Sequence, residues 1–258
     1  MHRSALFLCF AMLLLVASSA FAYGPFVGPG AIDLTGGDSN VAGGDGTIWS
    51  SSINQPTGTG VYDPFLRVQN GGSEEGFNTD YGTPLPPLDD KAGIWTHSVQ
   101  WNTLTTVTVE GNDYYVFQLD ANEEQSGDRS LISLDELQIY SDSNGSRSDL
   151  NGLSALYDLD NGTDRTVFIE TALKPGSGTD DLTVYIPTSF FSTVSGTDYM
   201  YFYCQFGLSD ANTGLETGAT FEEWRALQGG GNDVPEPSTL VLLGSGLLGL
   251  MGVRSRKK

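Results

Sequence analysis

The sequence predicts an all-β fold. It is a single β-sandwich or jelly-roll-like domain with a short C-terminal helix, flanked by an N-terminal signal peptide and a C-terminal membrane anchor helix. Three observations carry this reading. Short β-branched and aromatic runs recur with a period of two, the stretches between them are rich in Gly, Asn, Asp and Ser, and no segment repeats. Many short strands separated by turn signals belong to sandwiches and jelly rolls, whereas solenoids and propellers require internal repeats.

The chain opens with Arg3, an apolar stretch from Ala5 to Val16, and the small-residue pattern Ala20-Phe21-Ala22 before Tyr23. A basic start, a short apolar core and small residues at the −3 and −1 positions form a secretory signal peptide, cut after Ala22, so that residues 1–22 leave. Cys9 leaves with them. Residues 23–228 are then read as the domain, 229–234 as a linker and 235–258 as a C-terminal signal.

Residues 24–60 are glycine-rich with little periodicity apart from Thr47 to Ser51, which reads as a loop-dominated lead-in. Alternation then marks Thr105 to Val109, Tyr114 to Leu119, Thr166 to Ile169, and Leu182 to Ile186, the last stopped by Pro187. Ser130 to Tyr140 carries two signals. Ser133 and Glu136 fit a capping box, but Leu137-Gln138-Ile139-Tyr140 alternates, and we read a strand. In Tyr199 to Phe206 the alternation puts Met200, Phe202, Cys204 and Phe206 on one face and Tyr199, Tyr201 and Tyr203 on the other. Cys204 is therefore a small buried hydrophobe, with no second cysteine left in the mature chain for a disulfide. Near the end, Thr220 and Glu223 have capping-box spacing, Phe221, Trp224 and Leu227 share a helical face, and Gly229-Gly230-Gly231 terminates the pattern. That segment is the predicted helix.

Between the two terminal signals stand seven cations against 31 of the 32 acids, a formal charge of −24. Such a surface repels phosphate backbones and excludes nucleic acid as a partner; it suits solubility or divalent cations. Catalytic constellations are absent from the pattern. The mature chain has one histidine, His97, no Gly-x-Ser-x-Gly elbow, and too few histidines and cysteines for zinc. Oxygen ligands for calcium are better represented. Asp158, Asp160, Asn161 and Asp164 form one cluster, Asp142, Asn144 and Asp149 a second, and Gly43-Gly44-Asp45-Gly46 a third, although none fits an EF-hand and turn chemistry explains all of them. No cofactor is expected, with calcium as the one exception kept open. Trp49, Trp95, Trp101 and Trp224 are candidates for stacking on sugars, against the commoner role of tryptophan in a core.

The C-terminus has three parts in order: Pro235-Glu236-Pro237, an apolar run from Ser238 to Val253, and the cations Arg254, Arg256, Lys257 and Lys258. The run of 16 residues makes about 24 Å of helix against about 30 Å of hydrocarbon, a marginal span. The cations stay on the cytoplasmic side and residues before Pro235 face outward, which agrees with the signal peptide. Pro235 and Pro237 keep their stretch extended, as a protease cleft requires. Val234-Pro-Glu-Pro-Ser-Thr-Leu240, the Leu-Gly-rich run and the basic end resemble the PEP-CTERM sorting signal. The resemblance implies that an exosortase, a membrane protease of bacteria that make extracellular polysaccharide, reads Pro235, Glu236 and Pro237. The inner membrane would then hold the chain only transiently, before delivery to the cell surface or medium. Leu134 to Tyr140, Tyr157 to Asp160, Leu182 to Pro187 and Phe221 to Trp224 also resemble segments of uncharacterised PEP-CTERM proteins.

The resulting expectation is a non-enzymatic surface or matrix protein associated with exopolysaccharide or biofilm. A calcium-dependent carbohydrate-binding sandwich is the alternative, followed by a polysaccharide hydrolase or lyase.

Overall fold

The computed structural model describes residues 29–37, 40–51, 63–84, 88–124, 130–173, 178–207 and 215–228. Ala20, Ala22, Pro235, Glu236, Pro237 and the apolar run 238–253 lie outside the described residues. Among the described residues no helix is long and apolar enough to cross a membrane.

Sixteen described strands follow in chain order: β1 Ala31–Asp33, β2 Asn40–Ala42, β3 Ile48–Ser50, β4 Leu66–Val68, β5 Gly71–Gly72, β6 Glu74–Phe77, β7 Val99–Gln100 and β8 Thr106–Val109; then β9 Asn112–Ala121, β10 Leu131–Asp142, β11 Tyr157–Asp158, β12 Thr166–Glu170, β13 Leu182–Pro187, β14 Tyr199–Phe206, β15 Thr217–Gly218 and β16 Glu222–Ala226. One sheet runs β1-β12-β10-β14-β6, with β11 beside β10 and β7 beside β14. The other runs β2-β3-β13-β9-β16-β4, with β8 beside β9. All pairings are antiparallel except β1 with β12.

The inner faces meet in one apolar core. Phe117 from β9, Phe202 from β14 and Trp224 from β16 pack ring against ring, with Phe202 centroids 5.1 Å from Phe117 and 4.8 Å from Trp224. The alternation read along Tyr199 to Phe206 holds: Met200, Phe202, Cys204 and Phe206 are buried in that core. Tyr201 is also buried, on the other face, where Phe77 packs against it and its hydroxyl donates to the Asn144 carbonyl. Ser130 to Tyr140 is a strand. A bulge between Leu134 and Glu136 resets its alternation, so Ile132 and Leu134 before it and Leu137 and Ile139 after it all face inward.

Two expectations are corrected. The predicted C-terminal helix is strand β16, seated between β9 and β4. Glu, Arg, Ala and Leu favour a helix locally, but a strand here completes the ladders of both neighbours and buries Trp224, and those terms exceed a propensity difference of a few tenths of a kcal/mol per residue. The described part of residues 24–60 also holds more strand than its glycine content implies, since 31–33, 40–42 and 48–50 are strands and Trp49 is fully buried. At Gly76 on β6 a Cβ would lie 2.7 Å from a Val68 methyl group, so the two sheets approach closely only because that position is glycine.

Candidate functional site

The fold separates the four tryptophans. Trp49, Trp101 and Trp224 are at most 2% exposed and belong to the core, whereas Trp95 is 39% exposed. It sits with Ile94, 76% exposed, at the tip of a tight turn closed by the bridge between Gly93 and Thr96. Gly93 takes φ +103° there, a backbone state that side chains disfavour.

That turn stands beside β4, the edge of its sheet. The segment from Leu88 to Ala92 runs along this edge: the Lys91 amide donates to the Arg67 carbonyl at 2.9 Å, and the Asp89 amide donates to the Glu75 carbonyl on β6 at 2.9 Å. The segment thus bridges the two sheets. A cleft of about 400 Å³ opens here, lined by Arg67, Gln69, Pro84, Asp90, Lys91 and Trp95 among others. The Arg67 guanidinium lies between the Trp95 and Phe221 rings, 4.4 Å from each centroid, and its Nε donates to Glu223 at 2.7 Å. Cation-π contact on one ring face and an ion pair behind it fix the indole in place.

Polar groups share the lining with Pro84, Leu88 and Ala92. Asp90 Oδ1 has no hydrogen-bond partner, and burial pushes its carboxyl up to about 6. Arg67, Arg147, Arg165 and Arg225 are each paired with a carboxylate, but Lys91 forms no ion pair among the described residues. A fixed aromatic plane beside the Lys91 ammonium can stack on a pyranose ring and hydrogen-bond its hydroxyls. The chain pattern pointed to Trp95 only as one of four. Arg67, Asp90 and Lys91 went unnoticed because Arg67 reaches Trp95 through sheet packing across a long sequence separation, which leaves no local signature.

The calcium candidates are occupied otherwise. The Asp160 amide donates to Asp158 at 2.9 Å, the Arg165 amide to Asp160 at 2.7 Å, and the Arg165 side chain reaches Asp45 at 3.2 Å. Two of the three acidic clusters are therefore joined by an arginine. In the remaining cluster, Arg147 pairs with Asp142, while the Asn144 amide donates to Asp142 and the Asn151 amide to Asp149. Among the described residues no group of three or more acidic, histidine or cysteine side chains is spaced to hold a metal ion. Glu136 on β10 joins the Asp158 cluster, and burial followed by the nearby Asp160 and Asp158 charges pushes its carboxyl up to about 7. His97 lines a separate cleft of about 280 Å³, and the neighbouring Ser98 hydroxyl donates to Asp80 at 2.7 Å, not to the imidazole.

At the other end of the chain, residues 233–257 match the family model described as the PEP-CTERM protein-sorting motif. The chain carries a PEP-CTERM sorting signal. Such a motif implies processing by exosortase, a membrane protease, with export and transient anchoring before sorting to the cell surface. The match spans Pro235, Glu236 and Pro237, and it begins a few residues beyond β16, so the β domain and the PEP-CTERM signal are separate along the chain. No curated protein and no solved structure matches the chain.

Proposed function

We propose that this is a non-enzymatic protein of the cell surface or extracellular matrix, delivered by exosortase, whose sandwich holds extracellular polysaccharide in the cleft beside Trp95. The observation that carries it is the exposed indole, braced by Arg67 in a cleft that the Lys91 side chain also lines. The PEP-CTERM signal supplies the compartment in which such a ligand is met.

The test is a glycan panel read with the full-length chain and a Trp95→Ala variant. Binding to at least one polysaccharide is expected, weakened about 30-fold or more in the variant, the effect of truncating an aromatic anchor worth ~2 kcal/mol. A panel without hits, or release of sugar products by the wild-type chain, overturns the reading.

A further inference from the structure

The inner faces of β6 and β16 each present a glutamate where the pattern of a sandwich core calls for an apolar residue. Glu74 stands in register with Phe206, and Glu222 with Val68 and Ala121, all of them buried. Glu74 is 1% exposed and Glu222 fully buried. The Glu222 carboxyl lies within hydrogen-bond reach of Glu74 and of Glu123, yet Glu222 Oε1, Glu222 Oε2 and Glu74 Oε1 have no donor. The donors present serve other oxygens: the Asn70 amide donates to Glu74 Oε2 at 2.6 Å, and the Gly218 amide donates to Glu123 at 2.8 and 3.0 Å. The charges acting on the pair are acidic on every side, from Glu123 beyond β9 and from Asp89, while the Cys204 thiol of β14 faces the same carboxyls with Glu75 behind it.

Two ionised carboxylates in contact and out of water, with no counter-ion, are strongly unfavourable. A calcium ion would need about six to eight oxygens. The described residues do not gather even three acidic, histidine or cysteine side chains at that spacing. A single proton turns one carboxyl into the donor that the geometry lacks.

We propose that Glu74 and Glu222 share a proton across the two sheets, forming a pH-sensitive clamp on β16, the last described strand before the PEP-CTERM signal. Burial is the main cause that pushes both carboxyls up, Glu74 to about 7, and for Glu222 the hydrogen bond to Glu74 acts in the same direction, as it does for the donor of a shared proton. A raised carboxyl stabilises the fold below its ordinary range and loses that contribution as pH rises through the folded value, so the clamp is closed in acid and opens above about pH 7.

Urea unfolding of the full-length chain in detergent, from about pH 5.5 to about pH 8.5, with EDTA or with calcium, tests this. The wild-type midpoint should fall with rising pH, equally in EDTA and calcium. Glu222→Gln, whose amide donates to Glu74 without titrating, should fold and release about one proton fewer across the range. Glu74→Gln should do the same. Protection factors at the Glu223 and Arg225 amides, corrected for the intrinsic base-catalysed rate, should fall at alkaline pH in the wild type alone. An unchanged proton count in both variants overturns the proposal, as does failure of both to fold. A midpoint that calcium raises in the wild type but not in Glu222→Gln also overturns it, and assigns a cation site instead.

Discussion

The two faces of β16 manage charge in opposite ways. On the outer face Glu223 pairs with Arg67, and Arg225 pairs with Asp180 at 2.7 Å, each partner supplied by a neighbouring element. On the inner face Glu222 sits near Trp224 in the core and meets the Glu74 and Glu123 carboxyls and the Cys204 thiol, with no cation opposite it among the described residues. Where long cationic side chains reach in from the rim, a carboxylate can stay ionised; between two sheets there is no room for them, and protonation takes their place. Adjacent residues of one strand thus follow different rules according to the face they occupy.

The largest test of that contrast removes the inner face. Trp224→Ala is expected to cost about 3–5 kcal/mol in urea unfolding, because a fully buried indole leaves a cavity the sheets cannot close. Trp95→Ala is expected to change stability by less than about 1 kcal/mol while weakening glycan binding about 30-fold or more. A similar stability loss from both would mean that exposure does not separate structural from functional tryptophans in this fold. Next comes the pH dependence of the whole domain. Glu74 at about 7, Asp120 at about 6 and Asp90 at about 6 are all raised chiefly by burial, so stability measured by urea midpoint should decline steadily as pH rises from about 5 to about 8. A profile that climbs with pH would show that ion pairs of the outer-face kind dominate.

On the outer face the effects are smaller. Glu223→Ala is expected to cost about 1–2 kcal/mol, since the Arg67 pair is largely but not fully shielded, and to weaken glycan binding by loosening the guanidinium that braces Trp95. Unaltered binding in that variant would separate the ion pair from the cleft. Arg165→Ala should be the mildest, about 0–1 kcal/mol, because Asp45, Asp158 and Asp160 keep their backbone amide donors when the guanidinium goes.

Much of the fold was legible. The strands at Tyr114 to Leu119, Thr166 to Ile169, Leu182 to Ile186 and Tyr199 to Phe206 are present, and Cys204 is buried as its alternation requires. The misreading of Thr220 to Leu227 has a specific cause. Glu222, Trp224 and Ala226 alternate with Glu223 and Arg225, but a buried glutamate hides the period of two from any reading that expects apolar residues inside. The cleft was legible only through Trp95, since Arg67, Asp90 and Lys91 acquire their roles by sheet pairing and loop crossing. The acidic clusters were visible in sequence, yet their joining through Arg165 and Asp45 was not, since those residues meet across the fold.

By itself the sequence determined the sorting signal and the fold class. The three-part C-terminal signal is a linear motif, recognisable from the order of its proline-flanked acid, apolar run and basic end without tertiary context, and strand alternation is a local property of the pleat. The tertiary structure alone decided which tryptophan faces solvent, where charge is neutralised by arginine or by a proton, and that the last described strand closes the second sheet. Each of these depends on what lies across the sandwich, and contacts between distant segments leave no periodicity in the chain that makes them.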